Sequence, residues 1–230
     1  MVTDVEPLYK FLRKEHVHFW QEGSVQLTSV AHYRSFEGDE WIADRKENLA
    51  EYFIGSFHLP ENPSPEDRRQ ADKISRAGGR IAPDAKNISI RNVGIIRSEP
   101  DVYALCFSHE PFESARQAMC HDAPPASRYD ACLYFPNPLA FVDHLMKTGR
   151  VDDQPITRLF NEVYFSRVEY TKRPIELDNE DFVAFSPFHK PPKFKRQQEF
   201  RFIFRPLRLL PNIVRVTFPP PTPALFQQVF

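Results

Sequence analysis

The chain contains 22 prolines against 7 glycines, where average usage would place roughly 11 and 16 in a sequence of this length. Rossmann and P-loop proteins cradle phosphate in glycine loops, and neither GxGxxG nor GxxxxGK[ST] occurs here. Proline stiffens connections and is excluded from helix interiors and central strands. With 21 phenylalanines alongside, the expectation is of short strands joined by rigid loops around a phenylalanine-rich core.

At 230 residues the chain is read as a single domain over 1–230. A chain of this size buries roughly 70–75% of its unfolded surface and needs no disulfide or metal staple. Lys+Arg is 30 and Asp+Glu is 31, a net charge of -1, which excludes a globally basic nucleic-acid coat and a polyacidic tail but not a local basic patch. No apolar run approaches the ~20 residues that span a bilayer, so no membrane partner is expected. The opening Met1–Lys10 has no apolar stretch of signal-peptide type. Cys106, Cys120 and Cys132 are far apart and form no CxxC, which points to a reducing, cytoplasmic setting.

Strands are expected at Leu8–Arg13, Ser24–Ser29, Glu51–Leu59, Ala131–Phe135, Glu162–Tyr170 and Ile213–Phe218, with Ile88–Arg97 and Val102–Ser108 as a pair. Ser64, Pro65 and Asp67 spell a capped helix start. Ile74 is the only large apolar residue of that helix, so an exposed helix is expected. Asn137 and Pro138 open another, with Leu139, Val142, Leu145 and Met146 on one face and Gly149 at its end. In Glu199–Phe204 the phenylalanines Phe200, Phe202 and Phe204 alternate toward a core. Gln197, Glu199, Arg201 and Ile203 then share the opposite face. Strands and short helices in irregular order make the class α+β.

Several groups carry potential chemistry. His16 and His18 form an HxH pair, better read as an ordinary pair than as metal ligands, since no third ligand is nearby. His109 or His121 with Cys106 or Cys120 has the composition of a Cys–His dyad, which spacing alone does not establish. No GxSxG elbow occurs. The segment Tyr33–Asn48, YRSFEGDEWIADRKEN, is either a solvated loop or a polar cleft wall, with Arg34 available to fork onto a phosphate. Lys190, Lys193, Lys195 and Arg196 form a basic patch that is either exposed loop or phosphate contact. With Asp39, Glu40, Asp44 and Glu47 as metal ligands, that patch also fits a nuclease-like or nucleic-acid-binding protein.

A resemblance runs through most of residues 8–205. The succession LYKFLR, LTS followed by YRSFEGDEWIADRKEN, ALCFS, YDACLYFPNPLAF, VEY and FKRQQEFRFIF resembles a poorly characterised bacterial and phage family. Its members carry an aromatic-basic opening, an R-x-x-E…D-x-x-E loop, an L-C-x-S strand and a terminal E-x-R strand. That family in turn looks like ADP-ribosyltransferases of the arginine–serine–glutamate type. The resemblance implies a split, strand-rich core with short peripheral helices, NAD as co-substrate, and transfer of ADP-ribose to a macromolecular acceptor, protein or nucleic acid. Phage defence or intracellular toxicity would be its setting.

Carried onto this chain, the resemblance makes Glu199, Gln197 and Ser108 the catalytic set. Lys10, Arg13 and Arg34 become the cations for the NAD phosphates, and Tyr103 or Phe107 the stacking partner of nicotinamide. Lys10 stands where arginine is usual, and one serine stands where three residues, Ser-Thr-Ser, are usual. These departures also fit a non-enzymatic nucleotide- or protein-binding module on the same scaffold. On a polar, cleft-facing strand surface, Glu199→Gln is expected to leave stability near native.

Overall fold

The computed structural model describes residues 5–35, 49–98, 101–109, 111–172, 175–176 and 187–230. The architecture is mixed and strand-rich. β1 (Leu8–Leu12) leads through a 3-10 turn into α1 (Val17–Gln21), and Gly23 reverses the chain into β2 (Ser24–Ser29). Gly23 has φ +80°, and a Cβ there would lie 2.0 Å from the Phe218 carbonyl oxygen, so only glycine fits the turn.

β3 (Leu49–Leu59), α2 (Pro65–Arg76) and β4 (Ile88–Ser98) form the next unit. The Ser64 hydroxyl accepts from the Asp67 N–H, and the Asp67 carboxylate accepts from the Ser64 N–H, so the capping box closes as the sequence predicts. α2 is exposed over most of its surface, as its composition implies, but it is anchored on one side. Ala71 and Ile74 are buried, and Ile74 packs with Tyr52, Ile54 and Ala77 into a small core of its own. A single isoleucine suffices because the facing sheet supplies the rest of the apolar surface.

β5 (Tyr103–Ser108) was expected to pair with β4, and it does not. β4 pairs antiparallel with β3 along its whole length, from Leu49↔Ser98 to Leu59↔Ile88. Both strands are 11 residues long and satisfy each other, whereas β5 is taken up elsewhere. α3 (Phe112–Arg116) runs into a wider π-helical turn, and β6 (Ala131–Phe135) precedes α4 (Pro138–Thr148). The Asn137 side chain caps α4 by accepting from the Ala140 N–H. Phe141, Val142 and Leu145 are buried beneath this helix, with Leu139 and Met146 at its margins.

The remaining strands are β7 (Arg150–Val151), β8 (Gln154–Pro155), β9 (Phe160–Arg167), β10 (Glu169–Tyr170), β11 (Ile175–Glu176), β12 (His189–Lys190), β13 (Glu199–Pro206), β14 (Ile213–Thr217) and β15 (Gln227–Gln228). Among the described residues the main sheet follows the order β15-β6-β1-β5-β2-β14-β7-β8, with β13 joined to β5 and β9 to β13. β11-β3-β4 is a separate sheet, and β10 and β12 form a short parallel pair.

One face of the main sheet carries the core. Tyr103, Leu105 and Phe107 of β5 and Phe200, Phe202 and Phe204 of β13 all point into it. Trp20, Phe107, Phe141 and Phe226 surround Phe135, whose side chain is fully buried. The phenylalanine excess of the sequence is spent here, where each buried ring contributes on the order of 1.5–3 kcal/mol of transfer free energy.

No helix among the described residues is long and apolar enough to cross a membrane.

Candidate functional site

β5 organises the site. One of its edges is fully paired with β13, from Glu199↔Ser108 to Phe204↔Tyr103. The other edge is divided: β1 meets it only at Tyr9↔Ser108, and β2 meets it at Thr28↔Ala104 and Ser29↔Tyr103. Between these contacts β1 and β2 diverge and the sheet splits over Cys106. Lys10 crosses the gap and donates from its ammonium to the Cys106 carbonyl at 2.8 Å. That bond satisfies a backbone acceptor where no strand is available.

The face of β13 opposite the core bears Glu199, Arg201 and Ile203. The alternation read from the sequence holds, but this face is buried rather than solvated. Glu199 is 6% exposed and Arg201 1%. Its covering includes Lys190 of β12, itself 5% exposed, and an apolar cluster of Val30, Ala104 and Ile203 with Tyr33 and Phe188 packed against it.

Glu199 is gripped at both oxygens. Arg201 donates from Nε to Oε1 at 2.7 Å, and the Lys190 ammonium lies 2.7 Å from Oε2. Arg201 is held in turn by the Pro187 carbonyl, and Lys190 also donates to the Gln197 side-chain oxygen at 3.2 Å. Burial opposes ionisation of Glu199, but the charges and hydrogen bonds of Arg201 and Lys190 outweigh it and hold the carboxyl well below its usual range. The Glu199 N–H donates to the Tyr170 hydroxyl at 2.9 Å, which anchors the start of the strand. Stability near native for Glu199→Gln is therefore not tenable, because the change would strand two buried cations.

Two chambers with shared lining residues open at the split. The smaller, about 100 Å³, is bounded by Lys10, Ser108, Lys190, Gln197, Glu199 and Arg201. Its wall holds three cations to one carboxylate among the described residues. The larger, about 510 Å³, lies between the β1 and β2 arms and shares Lys10, Tyr33, Cys106 and Tyr129 with the first. Burial pulls the half-buried Lys10 ammonium below its ordinary value, with the Glu199 charge opposing that shift. Burial also pushes the Cys106 thiol up to about 12. It is a protonated thiol at neutral pH, the reverse of what a Cys–His nucleophile needs.

Of the residues expected at the site, Lys10, Ser108, Gln197 and Glu199 converge on the small chamber. Ser108 donates from Oγ to the Gln197 carbonyl at 2.9 Å. Gln197 does not share a strand with Glu199 as its spacing implied. It ends a 3-10 turn, and Gln198, at φ 47° and ψ 48°, swings the chain into β13. Arg13 is exposed, bonds the Ala126 carbonyl and borders the larger chamber only.

Tyr103 does not stack in the site. It points into the core on the opposite face, and its hydroxyl donates to the Leu210 and Pro211 carbonyls. Phe107 borders the small chamber, yet its ring packs edge-on against Phe135 and Phe202. The aromatic residues beside the chamber on the site face are instead Tyr9, Phe11, Tyr33 and Tyr129.

The side chain of Arg34 and the carboxylates Asp39, Glu40, Asp44 and Glu47 lie outside the described residues. Among the described residues no three metal-ligating side chains group together. The basic patch divides: Lys193, Lys195 and Arg196 are exposed, whereas Lys190 is buried in the ion-pair network. Sequence reasoning placed Arg201 on the face of Glu199 but missed its burial, and it missed the buried role of Lys190 altogether. The i+2 spacing on one strand face pairs Glu199 with Arg201, whereas nothing local marks Lys190.

No protein-family model, no curated protein and no solved structure matches the chain.

Proposed function

We propose that the protein is an ADP-ribosyltransferase-like enzyme that binds NAD in the split of its main sheet and transfers ADP-ribose to a macromolecular acceptor. The carrying observation is the register Tyr9↔Ser108↔Glu199 across three adjacent strands, which brings Lys10, Ser108 and Glu199 to one chamber although they are far apart in sequence. In the reaction the bond between nicotinamide and ribose breaks with its electron pair passing to the ring nitrogen, so nicotinamide leaves neutral. The acceptor then bonds the ribose carbon and loses its proton to solvent. Positive charge develops on the ribose between these events, and the ionised Glu199 carboxylate stabilises it. Arg201 and Lys190 keep that carboxylate ionised and aimed, while Ser108 ties β5 to the turn before β13.

Radiolabelled NAD incubated with the protein and a cell lysate is expected to label a macromolecule. Glu199→Gln should lower turnover by a factor on the order of 10²–10³ while NAD binding persists. The binding measurement keeps a folding defect apart from a chemical one. A variant that binds NAD and turns it over at the parent rate removes Glu199 as the catalytic group.

A second reading, a nucleotide-binding module without turnover, is favoured by the double ion pairing of Glu199. It predicts NAD binding with no label transferred and no nicotinamide released.

A further inference from the structure

The larger chamber has no role in the chemistry assigned to Glu199. Its β2 side is completed by β14, which pairs with β2 so that Arg215 stands opposite Gln26, and both line the cavity. The flanking Val214 and Val216 are buried in the core, so the strand's alternation obliges Arg215 to face outward into the crevice. Across from it, Lys10, Arg13 and His16 line the β1 side. No carboxylate lines this chamber among the described residues.

The basic side chains differ in how free they are. The Lys10 ammonium is tied to the Cys106 carbonyl. Arg13 bonds the Ala126 carbonyl and lies 3.8 Å from Glu15, as does His16. Arg215 has no carboxylate partner among the described residues; its guanidinium lies 5.3 Å over the Phe19 ring. A cation–π contact consumes none of the guanidinium's N–H hydrogen bonds, and those planar donors match two phosphate oxygens at once. A lysine offers only a point charge.

We infer that the larger chamber is a nucleoside-diphosphate site in which Arg215, held over the Phe19 ring, forks onto the diphosphate. This rests on the NAD reading above and deepens it: Arg215 supplies from the last core strand the fork that Lys10 cannot supply from the first. A chamber of about 510 Å³ falls in the roughly 300–1,000 Å³ range of small-ligand sites.

Calorimetric titration of the full chain with ADP and with adenosine tests this. ADP is expected to bind at least about tenfold more tightly than adenosine, with an affinity that falls as salt rises. Arg215→Gln should weaken ADP roughly 10- to 100-fold and leave adenosine binding and the melting temperature unchanged. Arg215→Lys, which keeps the charge without the fork, should fall between. Failure of ADP to bind, equal affinity for ADP and adenosine, or unchanged ADP affinity in Arg215→Gln overturns the inference. ADP binding that depends on Arg215 in a protein that never transfers label from NAD leaves the site standing and removes the enzyme. Label transfer with ADP affinity indifferent to Arg215 does the opposite.

Discussion

Replacing Glu199 by glutamine keeps the size and hydrogen-bonding reach of the side chain and removes one charge. For a surface pair the cost would be under about 1 kcal/mol. Here the side chains of Glu199, Lys190 and Arg201 are 7%, 6% and 2% exposed, with both nitrogen–oxygen distances at 2.7 Å. The substitution leaves two cations with little water to replace the lost carboxylate. Removing one member of such a buried group costs about 3–5 kcal/mol, a large share of the roughly 5–15 kcal/mol that holds a domain together.

Lys190→Met provides the internal comparison. Glu199 then keeps Arg201, no cation is stranded, and the loss should be the smaller of the two. Urea unfolding of parent and variants, followed by circular dichroism, measures both. The acid limb of the stability profile reads the same network. Because the Glu199 carboxyl titrates lower in the folded chain than in the unfolded one, the unfolded chain takes up the proton first. Its contribution is complete above the ordinary glutamate value of about 4.3 and is lost progressively as pH falls below it toward the folded value. Glu199→Gln should flatten that limb. A loss within about 0.5 kcal/mol of zero, or an acid limb identical to the parent's, would refute the claim that the trio is a buried, charged network.

Two further outcomes follow from the packing. Phe135→Ala empties the space between Trp20, Phe107, Phe141 and Phe226 and should cost about 3–5 kcal/mol in urea unfolding. Ser64→Ala removes the acceptor of the Asp67 N–H and should cost about 0.5–2 kcal/mol; because α2 packs on the β3–β4 sheet, faster amide exchange is expected there before the main core is affected.

The amino-acid sequence by itself determined the local elements. Alternation at Ser24–Ser29 and Glu199–Phe204, the Ser64/Asp67 box and the Asn137-Pro138 start all appear where the side chains require them. Each depends on neighbours within one turn or two residues, and such contacts are written in consecutive letters. The inward face of β13 was legible for the same reason, since three phenylalanines at period two demand a core.

Strand partners were decided by the tertiary structure. β4 lies five residues before β5 in the chain, yet it chose β3, because an alternating strand accepts any partner whose edge is open and whose faces match. The split that makes the crevice exists because β1 and β2 compete for one edge of β5, a contest invisible in any single segment. Lys190 is a basic residue in a basic stretch, and only the return of β12 beside β10 carries it over Glu199. Burial is a property of what the rest of the chain places on top. For that reason the face of β13 bearing Glu199 and Arg201 was recognised as polar from the sequence, while its conversion into a closed ion-pair network required the whole fold.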